Sequence, residues 1–89
     1  MNTRTILRAS AHTKPSGLAG AIAGMIRGGK IPVVIQAIGA GAVNQAAKAV
    51  AIAHSYLVGE HDVICYLAFE TVTIGDRDIS SLKFFVEPR

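Results

Sequence analysis

The sequence predicts a two-layer α+β fold whose elements follow the order β-α-β-α-β-β. Strand-like apolar runs alternate with two stretches whose apolar residues recur at helical spacing. The last two strand-like runs are separated by Gly75-Asp76, a dipeptide typical of a tight hairpin. Because a strand–helix–strand crossover makes its two strands parallel, we expect a four-stranded mixed sheet with both helices on one face.

The first strand and helix come from residues 5–29. Thr5–Ser10 alternates polar and apolar side chains, which predicts a strand. Gly17–Arg27 has helical spacing, and Ser16 is expected to be its N-terminal cap. Gly20 and Gly24 are expected to let this helix approach another backbone closely, and the following glycine pair to end it in a left-handed conformation.

The second half of the fold begins at residue 31. Ile31–Ile38 is almost entirely apolar and β-branched, as expected of an inner strand covered on both faces. A second helix is predicted over Ala42–Leu57, followed by strands over Asp62–Ile74 and Ile79–Glu87.

The third strand is apolar on both of its faces, which predicts that a partner chain covers it. One face carries Val63, Cys65, Leu67 and Phe69, and the other carries Ile64, Tyr66 and Ala68. The chain is 51% hydrophobic with a mean hydropathy of +0.41, high values for a small soluble monomer. We therefore expect a homo-oligomer, either a dimer or a tetramer.

Length and composition limit the classes of protein to which the chain can belong. Eighty-nine residues suffice for a single domain over residues 1–89. Without a signal peptide or a long apolar run, we expect a cytoplasmic protein that does not enter a membrane. The single cysteine, Cys65, cannot form an internal disulfide and is predicted to pack in a strand.

Charge is divided unevenly along the chain. Residues 1–59 contain six basic residues and no acid, whereas all six acids lie in residues 60–89 with three basic residues. This division favours a basic face for an anionic partner such as nucleic acid. Alternatively, folding mixes the two parts and the asymmetry cancels.

Polar side chains gather where the second strand leads into the second helix. Gly39 and Gly41 form the turn, and Asn44, Gln45 and Lys48 lie on the first turns of a helix that is otherwise almost all apolar. Unpaired N–H groups at a helix start favour an anion. The alternative is that the glycines serve packing. A dinucleotide-binding fingerprint is not favoured, because Asn44 occupies the place of its third glycine.

Three further residues are predicted to join this surface. Parallel strands send both strand-to-helix connections to one edge of the sheet, so Arg8 and Lys14 should approach Gly39–Gly41, and Gln36 should join from the second strand. The alternative for each is an ordinary exposed side chain. The histidines lack a ligand cluster and no nucleophile has a base partner, so we expect no metal, cofactor or catalytic residue.

These residues resemble a known family. The run Gln36–Ala53, the helix beginning Gly17-Leu18-Ala19-Gly20 and the ending Val86-Glu87-Pro88-Arg89 are similar to the stage V sporulation protein S family. The resemblance implies an Alba-like fold, a role in sporulation or related development, assembly into dimers or larger oligomers, and a suspected nucleic-acid-binding activity. Alba-like chromatin proteins bind through lysines on the first strand-to-helix connection and through a basic hairpin arm. Lys14 matches the first, but the hairpin departs from the pattern because two acids flank Arg77.

The combined prediction is a non-enzymatic, oligomeric regulator that contacts the phosphate backbone of DNA or RNA. The residues expected to make the contact are Arg8, Lys14, Gln36, Gly39, Gly41, Asn44, Gln45 and Lys48. Two alternatives remain open. One is a protein–protein assembly module without nucleic-acid binding, and the other is a binder of a small anionic ligand at the Gly39–Gly41 turn.

Overall fold

The computed structural model describes residues 6–89, and its elements follow the predicted order. They are β1 (Ile6–Ala9), α1 (Pro15–Arg27), β2 (Val33–Ala37), α2 (Ala40–Tyr56), β3 (Val63–Ile74) and β4 (Arg77–Pro88). The sheet has the order β1-β2-β4-β3, with β1 parallel to β2 and the other pairs antiparallel. The predicted α+β class and the four-stranded mixed sheet are confirmed. Thr5, where the first strand was predicted to begin, lies outside the described residues.

One hydrophobic core fills the space between the helices and one face of the sheet. From β2, Val33, Ile35 and Ala37 point into it and are fully buried. The buried side of α2 consists only of alanines, at positions 42, 46, 49 and 53. The largest fully buried side chains come from α1, from the strands and from Leu57, which follows the last turn of α2. Within residues 6–89, neither helix combines the length and the apolar character needed to cross a bilayer.

The start and the middle of α1 differ from the prediction. The helix begins at Pro15, with Lys14 at its N-cap, and no side chain among residues 6–89 caps it. Proline suits the first helical position because the N–H that it lacks would be unpaired there, so Ser16 is not the cap. The prediction for Gly20 and Gly24 is also wrong: a Cβ at either would meet no atom of the described chain within 4 Å.

Two glycine turns form as predicted. Gly29 has a φ of +73° and ends α1, with the Lys30 N–H donating to the carbonyl of Met25 at 2.9 Å. Gly75-Asp76 is the two-residue loop between β3 and β4, and Gly75 has a φ of +65°. A positive φ at the first loop residue alone is the pattern of a type II′ turn.

The β3–β4 hairpin extends beyond the rest of the sheet. β4 pairs with β3 along its full length but with β2 only over Leu82–Val86. Residues 70–81 therefore form a two-stranded arm. Because Leu82 pairs with Ala37, the last residue of β2, the arm projects past the edge from which the β2–α2 connection emerges. The parallel pairing of β1 with β2 puts the β1–α1 connection at the same edge.

Candidate nucleic-acid interface

The two strand-to-helix connections meet at one edge of the sheet, and two contacts hold them together. A Cβ on Gly41 would lie only 2.8 Å from the Cβ of Ala11, so α2 and the first connection touch at this point. One turn later, Nε2 of Gln45 donates a hydrogen bond of 2.9 Å to the carbonyl of Thr13. We call residues 11–14 together with residues 39–48 the rim.

Positive charge lies at the rim without nearby acids in the sequence. Lys14 follows the residue that Gln45 contacts, and it is exposed. Lys48 is exposed on α2, three residues after Gln45 and four after Asn44, so it shares their side of the helix. Every acid in the chain comes after residue 59. The rim therefore combines a cationic side chain from the first connection with one from α2.

The two amide side chains of the rim have different roles. The side chain of Gln45 is partly buried and bridges α2 to the first connection through Thr13. The Asn44 side chain is exposed, and its Nδ2 donates to Oε1 of Gln45 at 3.2 Å. Gln45 thus positions the loop that carries Lys14, whereas Asn44 faces solvent at the helix start. Sequence reasoning found both residues but gave them the same role.

The turn before α2 needs its glycines for two separate reasons. Gly39 is the N-cap residue of α2 and has a φ of +92°, a conformation that other residues rarely adopt. In the described chain no side chain caps this helix, so N–H groups of its first turn stay open to solvent. Gly41 fits the packing alternative, because Ala11 occupies the space that a side chain at this position would need.

Gln36 and Arg8 do not lie on the helix side of the sheet with the rest of the predicted site. Alternation along β2 directs Val33, Ile35 and Ala37 to the helices, which directs Gln36 to the opposite face. Arg8 is beside Gln36 in the parallel register and shares that open face. Nε2 of Gln36 donates to Oε1 of Glu70 at 2.9 Å. The structure therefore separates these two residues from the rim and gives Gln36 a different partner.

A polar cluster on the open face was missed by sequence reasoning. Nζ of Lys83 lies 2.7 Å from Oε2 of Glu70, whose other oxygen accepts the bond from Gln36. The hydrogen bond from Lys83, and then that from Gln36, lowers the pKa of the Glu70 carboxyl below its ordinary value. The signal in the sequence is that Glu70 is the one charged residue of β3.

The opposite end of the molecule holds ion pairs between exposed side chains. Nε and Nη2 of Arg27 each donate to the Glu60 carboxylate at 2.9 Å, and Nη2 also donates to the carbonyl of Tyr56 at 3.0 Å. The Arg27 hydrogen bond lowers the pKa of Glu60. Nε2 of His54 lies 3.5 Å from Oδ1 of Asp62. In the part of the chain that the structure describes, no three histidine, cysteine or acidic side chains are grouped as metal ligands.

Cys65 packs against the core, in agreement with the packing interpretation. Its side chain is partly buried at the margin of the core, and this burial raises the pKa of the thiol. A raised pKa leaves less of the nucleophilic thiolate at neutral pH. The thiol therefore behaves as a small apolar group.

The tip of the arm carries two acids and one base. Asp76 lies in the loop and Arg77 follows it. Oδ1 of Asp78 accepts a hydrogen bond of 2.8 Å from the Thr73 hydroxyl. The arm thus places a net negative tip beyond the same edge of the sheet as the rim.

Comparisons with known proteins agree with this architecture. The family model described as Stage V sporulation protein S (SpoVS) matches residues 5–89. Among solved structures, Alba from Thermoplasma volcanium is similar over 96% of this chain and 100% of its own, with a TM-score of 0.63 and 13% sequence identity. At this identity the likeness shows an Alba-like fold.

Proposed function

The chain belongs to the stage V sporulation protein S family, and we propose that it is a non-enzymatic developmental regulator that binds the phosphate backbone of nucleic acid through the rim. The observation that carries the proposal is the hydrogen bond from Gln45 to the Thr13 carbonyl. It joins the loop that carries Lys14 to the helix that carries Asn44 and Lys48.

The chemistry of the rim suits phosphates better than bases. Lysine ammonium groups act as point charges toward phosphate oxygens, and the open N–H groups at the start of α2 also favour an anion. Contacts of this kind fix a protein on nucleic acid without reading sequence. We therefore expect binding with little sequence preference and a steep dependence on salt. Gln36 is not part of this surface, and Arg8 lies across the sheet from it.

The experiment compares two double variants that remove the same charge from opposite ends of the molecule. Lys14→Ala/Lys48→Ala removes two cations from the rim. Lys30→Ala/Arg89→Ala removes two from the far end, where Val33 of β2 pairs with Val86 of β4. Affinity for a DNA duplex and for RNA is measured at two or more salt concentrations.

We expect the rim variant to lose most of its affinity and to reduce the slope of log affinity against log salt by about 0.9 for each lost contact to a duplex phosphate. The far-end variant should keep both affinity and slope. Equal losses in the two variants would mean that net charge, not the rim, governs binding. No binding by the wild type at low salt would reject the proposal, and competition by inorganic phosphate alone would favour a small-anion site.

We further propose that the protein acts as a homo-oligomer. Large apolar side chains of β3 are exposed in the single chain, among them Phe69 at 84% and Tyr66 at 51%. Exposed apolar surface of this kind is typical of association sites. The same observation favours the second candidate function, an assembly module, which the binding experiment separates from the first.

A further inference from the structure

Residues 10–13 form a tight turn between β1 and α1. The Thr13 N–H donates to the Ser10 carbonyl at 3.1 Å, which closes the turn. Two hydroxyl groups reinforce it. Oγ1 of Thr13 accepts from the Ser10 N–H at 2.8 Å, and Oγ of Ser10 accepts from the His12 N–H at 3.1 Å. Because side chains and backbone bond each other within four residues, the turn is held in one conformation.

His12 lies between the two residues that fix this turn against α2. On one side, Ala11 occupies the space that a Cβ on Gly41 would need. On the other side, the Thr13 carbonyl accepts the hydrogen bond from Gln45. The His12 side chain itself is exposed. Its backbone is therefore held in place, while the imidazole stays in contact with water at the rim.

The charged groups around His12 are mostly cationic. The elements that meet at this turn carry no acid, and α1 has no charged residue in its first three turns. In residues 6–89, the histidine that pairs with an acid is His54, in the last turn of α2. The charged groups on the neighbouring elements are Lys14 on the same connection, Lys48 on α2, Arg8 on β1, and Asp76, Arg77 and Asp78 at the tip of the arm.

An imidazole differs from the lysines of the rim because its charge changes within the physiological pH range. Histidine is the side chain whose ordinary charge change falls between about pH 5 and about pH 8. In the protonated ring both nitrogens donate hydrogen bonds, and such charged donors bind phosphate oxygens strongly. The neutral ring has one donor and no charge. Lysine side chains stay charged throughout this range.

We infer that His12 is a further phosphate-contacting residue of the rim, and that its protonation makes nucleic-acid binding tighter as the pH falls. The inference rests on the proposed function, because it requires the rim to face the phosphate backbone. The direction follows from linkage. A polyanion binds the protonated ring better than the neutral ring, so binding favours uptake of a proton and a lower pH favours binding.

The effect is that of one surface charge. Between about pH 8 and about pH 6, the affinity of the wild type for a duplex should rise by about two- to five-fold at low salt. The slope of log affinity against log salt should become steeper by up to about 0.9, the value for one more phosphate contact.

The test compares three variants at these two pH values. His12→Gln removes the titrating ring and keeps a polar side chain. His12→Arg keeps a positive charge at both pH values. His54→Gln is the matched control, since His54 is also exposed but lies in the last turn of α2, away from the rim. Fluorescence anisotropy with a labelled duplex measures affinity in buffers of equal ionic strength, and circular dichroism verifies that each variant is folded.

The expected results differ for each variant. His12→Gln should bind like the wild type at about pH 8 and gain little at about pH 6. His12→Arg should bind at about pH 8 at least as tightly as the wild type does at about pH 6. His54→Gln should keep the gain of the wild type. In NMR spectra of the wild type, the His12 ring should take up its proton at a higher pH when the duplex is bound.

The outcomes separate this inference from the proposed function. Equal gains in the wild type, His12→Gln and His54→Gln would overturn the inference, because net charge would then be the cause. A wild type whose affinity does not change with pH would also overturn it. In either case, loss of affinity in Lys14→Ala/Lys48→Ala would still support the proposed function. Absence of binding at both pH values would reject both.

Discussion

Gly41 lies so close to Ala11 that a side chain at position 41 would collide with the Ala11 methyl group. Their contact and the hydrogen bond from Gln45 to Thr13 set where the first connection lies on α2. The position of Lys14 therefore depends on a small apolar contact several residues away. A single methyl group at Gly41 tests this dependence.

Gly41→Ala is expected to lower the free energy of unfolding by about 1–3 kcal/mol, because the new Cβ would lie 2.8 Å from that of Ala11 and must displace it. Gly20→Ala in α1 is the control. It meets nothing within 4 Å in the described chain and should raise the same free energy by roughly 0.5–1 kcal/mol through helix propensity. Urea denaturation measures both.

A second substitution tests whether the contact with Ala11 causes the loss of stability in Gly41→Ala. Adding Ala11→Gly to Gly41→Ala removes the opposing methyl group and should recover part of the lost stability. If Gly41→Ala proves as stabilising as Gly20→Ala, the first connection is free to move away from α2, and the rim is not a fixed surface.

Three strands are joined on the open face by the cluster of Gln36, Glu70 and Lys83. Gln36 comes from β2, Glu70 from β3 and Lys83 from β4. These side chains are partly screened from water, and the carboxylate has two donors. Among the described strands, β3 pairs directly with β4 alone, so the cluster adds a link from this edge strand to the centre of the sheet.

The stability contributed by this cluster should depend on pH. The pKa of Glu70 is lowered in the folded chain, first by the hydrogen bond from Lys83 and then by that from Gln36. A group with a lowered pKa stabilises the fold above its unfolded pKa, near 4.5, and loses that contribution as the pH falls through the folded value. Wild type should therefore be more stable than Glu70→Gln at pH 7, and the gap should close below pH 4.5.

Urea midpoints at several pH values measure this gap. Lys83→Gln should reduce the pH dependence as well, because it deletes the main donor to the carboxylate. A gap that persists unchanged at pH 3 would show that Glu70 acts through packing and not through its charge.

Element order and bounds were predictable from the sequence because periodicity and glycine turns mark them locally. The predicted β2–α2 boundary lies within two residues of the observed one, and the hairpin loop falls at Gly75-Asp76. The cap at Ser16 was predicted wrongly because a proline at the first helical position outweighed a capping hydroxyl. The face of Gln36 was not predictable, since all the other residues of β2 are apolar and give no alternation to orient it.

The tertiary part of the site could be predicted only in outline. Parallel strands require both connections to leave at one edge, and this argument correctly placed the first connection against α2, where Ala11 and Thr13 make the contacts. The bridging role of Gln45 depends on a backbone carbonyl in a loop, whose orientation no sequence pattern encodes. The partner of Gln36 depends on strand order, because β3 neighbours β4 and not β2.

At the scale of the whole molecule, the tip of the arm and the rim carry opposite charges. Both lie at the same edge of the sheet, yet the rim is cationic and the tip of the arm has two acids and one base. Long-range fields near a polyanion add over such distances when salt is low. The arm tip should therefore weaken the attraction that the rim provides.

Asp76→Asn is expected to tighten nucleic-acid binding by about two- to five-fold at low salt, which corresponds to a surface charge effect below 1 kcal/mol. Asp62→Asn makes the same change of net charge at the opposite end of the molecule and should have a smaller effect. Fluorescence anisotropy with a labelled duplex measures both. Equal gains would show that the placement of the arm is irrelevant and that only net charge counts.

The fully buried positions of α2 are all alanine, so no cavity is kept there for a larger side chain. Val43, Val50 and Ile52 pack at the margin of the core, and Leu57 is buried just beyond the last turn. Hydrogen bonds hold both ends of the helix, through Gln45 on the Thr13 carbonyl and through Arg27 on the Tyr56 carbonyl. A larger residue at Ala46 or Ala49 would therefore have to displace the helix that carries Lys48. Changes made deep in the core can thus alter the surface on which the lysines stand.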